Sequence, residues 1–330
     1  LLMCGGLSPL GGFMDRAAYE SVVDNLHLPD GTLWSIPVVL DIHAQQAEKI
    51  ELGERLALRD SEGFMLAVLE VEDKWQPDRQ LEAAGVYGTS STDHPGVRYL
   101  LEQTGDTYIG GTVTGVQLPV HYDYETLRDT PEELRHLFVK TGWKNVIGFH
   151  TGKPMHRVHR EITMQAAKEA EANILLHPSV GMTKPGDLHY FARVRCYQAV
   201  RRHYPHNMAM LSLLPSAVRM AGPREVLLNA TMRQNYGCSH MIVGPEHASP
   251  PGQRQADAVH FYDRYAAQEM MEKHQDELEI KMVPVREMRY LPAQEAFLPE
   301  ERITEMGEEG EWLTELELRY NLEHCLEVPS

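Results

Sequence analysis

The chain has 330 residues, enough for a full core and two domains. Its 31 Lys and Arg stand against 48 Asp and Glu, a net charge of -17, which argues against wrapping nucleic acid. A local cluster of Arg and His can still oppose that field and hold a small anion. No apolar run approaches the ~18 residues of a membrane span, and no signal peptide is evident. The chain opens at LLMCGG, as a trimmed form of a longer protein would. Cys4, Cys196, Cys238 and Cys325 are scattered with no CxxC pair. That spacing argues against a disulfide framework or zinc knuckle and points to a reducing cytoplasm.

Residues 1–130 read as strand-rich with many turns. WSIPVVLDI (Trp34–Ile42), RLALRD (Arg55–Asp60), GFMLAVLEVED (Gly63–Asp73) and TYIGGTVTGVQLP (Thr107–Pro119) are short aliphatic or β-branched runs. Glu82–Glu102 reads as a loop entering a short helix with His94 and Pro95 at its start. The expectation is a mainly β domain with a few helices.

The pattern changes near Thr130. TPEELRHLFVKTG places Thr130 and Pro131 before two first-turn glutamates and ends at Gly142, which signs a short helix. Strands are expected at Asn145–Phe149, Asn173–Gly181, Ala209–Pro215 and Cys238–Gly244. Helices are expected at Arg157–Ala172, His189–Pro205 and Glu225–Gly237. Alternation of this kind means a parallel α/β domain with its site at the carboxyl ends of the strands. Beyond about Val283 the chain turns irregular and acidic, a small C-terminal portion. The units are therefore 1–130, 131–283 and 284–330.

VIGFHTGKPMHRVHRE (Val146–Glu161) carries the most chemistry. A buried strand leads through a Gly/Pro turn into a helix start, which gathers backbone N–H groups and two imidazoles. His156 and His159, spaced i, i+3, can both face the turn and hydrogen-bond phosphate oxygens. The plainer alternative is a capping histidine beside a surface one. Lys153 can reach a phosphate as a point charge, or stand solvated. No P-loop motif is present, and the motif lacks the third ligand of a metal site, so no protein-held metal is expected.

GLSPLGGFM (Gly6–Met14), MHRVH (Met155–His159), HPSVGMTKPGD (His177–Asp187), RVRCY (Arg193–Tyr197), RMAGPRE (Arg219–Glu225) and RQNYGCSHMIVG (Arg233–Gly244) follow one another in an order that resembles the ATP sulfurylase (sulfate adenylyltransferase) family. The resemblance runs over nearly the whole chain. It implies a Rossmann-like adenylyltransferase domain, an N-terminal β-rich PUA-like domain and a small C-terminal portion. It implies transfer of the adenylyl group of ATP to sulfate, giving adenosine 5'-phosphosulfate and pyrophosphate, with Mg2+ accompanying ATP. Attack is direct and in-line, so catalysis is positioning and charge neutralisation. It also implies a homo-oligomer, while charge and hydropathy argue against a nucleic-acid or membrane partner.

By that resemblance His156, His159 and Lys153 act on the phosphates. His150, Thr151, Met155, Gly181, Met182, Lys184, Gly244 and His247 surround the nucleotide, with Thr183 in the same loop as Met182. Lys153, Arg219 and Ala248 meet the acceptor anion, Arg224 being a further candidate. Each arginine has the alternative of a structural ion pair, and Asn229 and His240 read as scaffold. The sequence departs from the family in both oxyanion loops. The family's Gln-Thr-Arg-Asn-Pro is here His150, Thr151, Gly152, Lys153 and Pro154. Its Gly-Arg-Asp-His-Ala-Gly is here Gly244, Pro245, Glu246, His247, Ala248 and Ser249. Two guanidinium forks are gone, and Pro245 removes a backbone donor. The family's late Ile-Ser-Gly-Thr segment has no match after Arg302. These departures leave open a different acceptor, or a catalytically weak nucleotide-binding homologue.

Overall fold

The structure, a computed structural model, describes residues 1–181, 189–250, 259–294 and 296–311. The first sheet is antiparallel. It contains β1 (Gly12–Phe13), β2 (Leu40–Ile42), β3 (Arg55–Arg59), β4 (Met65–Trp75) and β5 (Thr107–Gly115), ordered β1-β5-β4-β3 with β2 also on β5. Alternate residues Ala67, Leu69 and Val71 of β4 turn inward, the period-2 pattern of a half-buried strand. Gly110 and Gly111 are required where β5 passes its neighbours. A Cβ on Gly111 would lie 1.9 Å from the Glu70 carbonyl oxygen, and one on Gly110 2.2 Å from that of Met14.

Four helices accompany this sheet: α1 (Arg16–Asn25), α2 (Ala44–Ala47), α3 (Arg79–Tyr87) and α4 (Pro95–Glu102). Asp15 caps α1 by accepting from the Ala18 N–H, and Asp78 caps α3 through Gln80 and Leu81. Glu82–Tyr87, expected as loop, belong to α3. His94 does open α4, accepting from the Gly96 and Val97 N–H groups. The expected strand Trp34–Ile42 shrinks to its last three residues. Pro37 lacks a ladder donor, so the preceding apolar residues fill the core without pairing, and the Trp34 indole donates to the Ile36 carbonyl.

The second sheet is wholly parallel. Its strands are β6 (Val146–Phe149), β7 (Asn173–Leu176), β8 (Ala209–Leu211), β9 (His240–Val243) and β10 (Lys281–Pro284), ordered β10-β9-β6-β7-β8. The intervening helices are α5 (Pro131–Thr141) before β6, then α6 (Arg157–Glu169), α7 (Tyr190–Arg201), α8 (Gly222–Asn235) and α9 (Ala266–Lys273). A Thr130–Glu133 capping box starts α5, and Gly142, at φ 75, ends it. The fifth strand, β10, went unrecognised in the sequence because it is short and closes on a proline. The C-terminal portion is not irregular throughout. It forms an antiparallel ribbon of β11 (Met288–Leu291) and β12 (Ala296–Pro299), then α10 (Glu300–Glu305).

The chain steps from β6 to β7 to β8 in one direction, then returns to the far side of β6 with β9 and β10. The switch point lies between β6 and β9, where an open α/β sheet leaves a crevice at its carboxyl edge. One apolar cluster joins both sheets, running from Val22, Trp34 and Val97 to Leu134, Val226 and Met241. Arg224 of α8 crosses the same boundary. Its guanidinium donates to the carbonyls of Val22 (2.9 Å), Ser35 (3.3 Å) and Val23 (2.7 Å). That position is structural, and its hydrogen bonds run to carbonyls at the end of α1 and beyond, not to an anion or a carboxylate.

Arg224→Ala strands three partly buried acceptors. It should lower unfolding free energy by about 1.5–3 kcal/mol, read from urea denaturation. A midpoint unchanged from the parent would mean that the clamp contributes nothing.

Candidate active site

Four loops meet at the carboxyl edge of the parallel sheet. They follow β6 (His150–His156), β7 (His177–Gly181), β8 (Ser212–Ala221) and β9 (Gly244–Ser249). Backbone bonds tie them together. The Gly181 N–H donates to the Ser216 carbonyl at 2.9 Å, and the Gly222 N–H to that of Ala248 at 3.1 Å. Across the switch point the rings of His150 and His247 meet edge to face, 4.9 Å between centroids.

The turn after β6 is held from below. The Thr151 N–H donates to the Tyr197 hydroxyl at 2.8 Å, and that hydroxyl donates to the Thr151 carbonyl at 3.3 Å. Tyr197 is wholly buried on α7. The Lys153 N–H closes the turn on the Thr151 hydroxyl at 3.1 Å, and Met155 anchors its end in the core. His156 is the N-cap of α6, in extended conformation. Its N–H donates to Nδ1 of His159 at 3.2 Å, and the two rings stand 4.4 Å apart at 78°. Since Nδ1 of His159 accepts, the neutral ring carries its proton on Nε2, and that N–H is the donor left for a ligand. Burial, then Lys153, pushes His156 down to about 4. Burial, His156 and Lys153 hold His159 well below the usual imidazole range. Both rings are therefore neutral hydrogen-bond donors near pH 7, at the start of α6, where the helix dipole favours negative charge.

Arg233 of α8 lies under these loops, fully buried. It donates to the Asn229 carbonyl (3.0 Å), the Asn229 side-chain oxygen (3.3 Å) and the His177 carbonyl (3.0 Å). Gly148 of β6 makes the passage possible, because a Cβ there would sit 2.9 Å from Cδ of Arg233. Burial lowers the guanidinium to about 10, so it stays cationic. With its oxygen on Arg233, Asn229 turns its NH2 toward Nε2 of His247 at 3.4 Å, which sets the Nδ1–H tautomer of that ring. Burial, then Arg233, pushes His247 down to about 3. His150 falls well below the usual range through burial, then Arg233, His247, His177 and Arg193. His177 does so through burial and Arg233. Nδ1 of His150, both nitrogens of His177 and Nε of Arg193 and Arg233 are buried without a hydrogen-bond partner among the described residues. So much unused polar capacity in one place suits ligand or water oxygens.

Most of the expected site residues come together here. His150, Thr151, Met155, His156, His159, Gly244 and His247 line the two loops flanking the switch point, with Lys153 exposed on the first. Gly181 sits on the adjoining loop against Ser216 and Ala217. Met182, Thr183 and Lys184 lie outside the described residues. Ala248 adopts φ 55 and Glu246 φ 53, a tight path after Pro245. Arg219 is exposed, with its backbone against Gly96 of α4 and its charge bearing on Glu82 and Tyr87. It therefore stands on the α3–α4 side of its loop. His240 lies at the amino end of β9, away from the loops. Asn229, expected as scaffold, touches His247. Tyr197, His177 and Arg233 carry no assigned role in the sequence reading, and Asn229 reads there as scaffold. The only signal for the last two was their i, i+4 spacing on one helix.

A parallel sheet of this order, with its crevice at the switch point, defines a Rossmann-like α/β protein. The ATP-sulfurylase family model matches residues 125–330, and a PUA-like domain model matches residues 1–118. The chain belongs to the ATP-sulfurylase family. It is 43% identical over 330 residues to the sulfate adenylyltransferase of Kluyveromyces lactis, covering 100% of this chain and 65% of that one. It is also 43% identical to the sulfate adenylyltransferase of Saccharomyces cerevisiae, covering 64% of it. A solved structure, a hexameric APS kinase from Thiobacillus denitrificans, superposes with a TM-score of 0.78 at 32% identity, over 99% of this chain and 57% of that one. The chain thus spans about 65% of the length of the first of these relatives.

The pH behaviour of the site follows from its burial. The unfolded chain binds protons near pH 6.5, whereas folded His156 does so at about 4, so its contribution destabilises the fold as pH falls through that window. In a proton NMR titration the His156 ring should remain neutral to about pH 4. Added pyrophosphate should raise the midpoint, since an anion favours the imidazolium. A midpoint near 6.5 in the absence of ligand would contradict the buried environment described.

Proposed function

We propose that this chain transfers an adenylyl group between ATP and sulfate, forming adenosine 5'-phosphosulfate and pyrophosphate, or runs the reverse. The observation that carries the reading is the His156–His159 pair, two neutral rings at the start of α6 with Nε2–H of His159 left as a donor. A sulfate oxygen attacks the α-phosphorus in line as the bond to the bridging oxygen of the β-phosphate breaks. The electron pair leaves on pyrophosphate. No proton is taken from sulfate, which is already fully ionised, so the imidazoles serve as donors to developing charge and not as bases.

In this reading Lys153 adds charge beside the leaving group. His150, Thr151, Met155, Gly244 and His247 hold the nucleotide, with Gly181, Met182 and Lys184 on its adenine side. Lys153, Arg219 and Ala248 meet the acceptor. Mg2+ would arrive bound to ATP and neutralise the triphosphate. The donor set fits that route, because the described loops offer imidazoles and amides and no metal-ligand cluster lies on them. We divide the chain into units 1–130, 131–283 and 284–330, supported by the separate sheets and by family models meeting between residues 118 and 125. Homo-oligomerisation is proposed from the hexameric relative. A reducing cytoplasm suits the unpaired thiols of Cys4, Cys196 and Cys238. No helix among the described residues is long and apolar enough to cross a membrane.

A second reading keeps the phosphate chemistry and changes the acceptor. It is favoured by Gly152 and Pro245, which stand where the family carries arginines. Gly152 is exposed, has no positive φ, and a Cβ on it meets nothing within 4 Å. An arginine is therefore sterically admissible there, and its absence bears on the anion, not on the fold.

His156→Ala or His159→Ala should each reduce adenylyl transfer by roughly 10² or more, measured as pyrophosphate release. ATP affinity should fall less. Unchanged turnover in both variants would make the pair structural. Gly152→Arg should lower the KM for sulfate by about tenfold or more, the worth of a charge-assisted bidentate contact. A parent with submillimolar KM that is also indifferent to Lys153→Ala would overturn this account of the anion pocket. Turnover with another acceptor and none with sulfate would establish the second reading.

A further inference from the structure

At the opposite edge of the molecule from the proposed chemistry, His27, His274 and Glu277 converge. His27 follows α1 in the N-terminal unit. His274 and Glu277 follow α9, just before β10 enters the parallel sheet at its amino end. One ligand atom from each lies within 4.8 Å of the others. We propose that these three residues bind a divalent transition-metal ion of the zinc type, which staples the N-terminal sheet unit to the α/β unit.

The chemistry of the donor set is the first argument. Two imidazole nitrogens and one carboxylate oxygen, with a position left for water, are a known zinc combination. Glu277 and His27 are partly exposed, so an ion has a route in and a water can complete the shell. The second argument is the tautomer of His27. Its Nδ1 lies 2.6 Å from the Asn25 carbonyl oxygen, so Nδ1 carries a proton. The neutral ring then presents the bare lone pair of Nε2, which lies 2.6 Å from a Glu277 oxygen. The neutral ring stands there only with a metal ion between the two atoms, and without one the contact is that of an imidazolium on a carboxylate. An outer N–H anchored on a backbone carbonyl is also how metal-bound imidazoles are held in place.

Nδ1 of His274 stands 2.7 Å from the other Glu277 oxygen, while Nε2 is buried without a partner among the described residues. Without an ion the neutral ring donates Nδ1–H to Glu277, and an ion shared with His27 takes that place and moves the ring proton to Nε2. Bonds of ~2.0–2.1 Å put tetrahedral ligand atoms ~3.3 Å apart, so small rotations of the accessible His27 and Glu277 side chains suffice.

The test uses the full chain, stripped with a chelator and titrated with Co2+ and with Zn2+. Calorimetry gives the stoichiometry, the Co2+ absorption band reports tetrahedral geometry, and thermal unfolding reports the staple. One equivalent should bind, with the tetrahedral band, and should raise Tm in a concentration-dependent way. His27→Ala and Glu277→Gln should each weaken binding by about 100-fold or more and abolish the Tm response. His136→Ala, an exposed histidine elsewhere, should leave both unchanged. Binding of equal strength in parent, His27→Ala and Glu277→Gln would overturn the proposal. So would a parent that takes up no metal and has a Tm indifferent to chelator, the result expected if only a proton bridges His27 and Glu277.

Discussion

A guanidinium sealed beneath the parallel sheet sets the character of the site. Burying a cation is costly, and Arg233 offsets part of that cost on three amide oxygens while its Nε has no partner among the described residues. Those same bonds fix the carbonyl of His177 and the side chain of Asn229, and through Asn229 the tautomer of His247. Its charge helps keep the surrounding imidazoles neutral. The result is a concentration of positive potential and N–H donors at one edge of a chain whose net charge is -17. That combination suits a small anion better than an acidic surface does.

The two sheets are not beads on a linker. The apolar cluster runs without interruption from α1 and α4 to α8, and Arg224 threads carbonyls of the N-terminal unit. The loop after β8 leans on Gly96 of α4, so the N-terminal unit also supports one wall of the site. Motion of one unit against the other would disturb that loop, which ties rigidity of the interface to the geometry available to a ligand.

The oxyanion loops show how a family fold can be kept while its chemistry is open to change. Tyr197 still clamps the first loop, and strained backbone at Glu246 and Ala248 still shapes the second. Gly152 projects into open space and Pro245 withholds a donor, and neither alters the packing beneath. The scaffold therefore constrains where an acceptor would sit far more than what that acceptor is.

The sequence by itself determined the parallel α/β unit, because strands Val146–Phe149, Asn173–Leu176, Ala209–Leu211 and His240–Val243 are short apolar runs separated by helical segments. It determined the His156–His159 pair, because i, i+3 spacing at a helix start brings two rings together through local geometry alone. It failed where local pattern and tertiary need diverged. Trp34–Val39 reads as strand but packs as irregular core around Pro37, and α1 and α3 surfaced only with their packing. Arg233 offers the clearest case. An arginine in a helix reads as solvated, and nothing local says that its charge will be buried. Only the tertiary structure, by running Gly148 over it and closing four loops above, turned it into the foundation of the site. Register, handedness and loop proximity are long-range quantities, set by which faces must be buried together, and no window of sequence contains them.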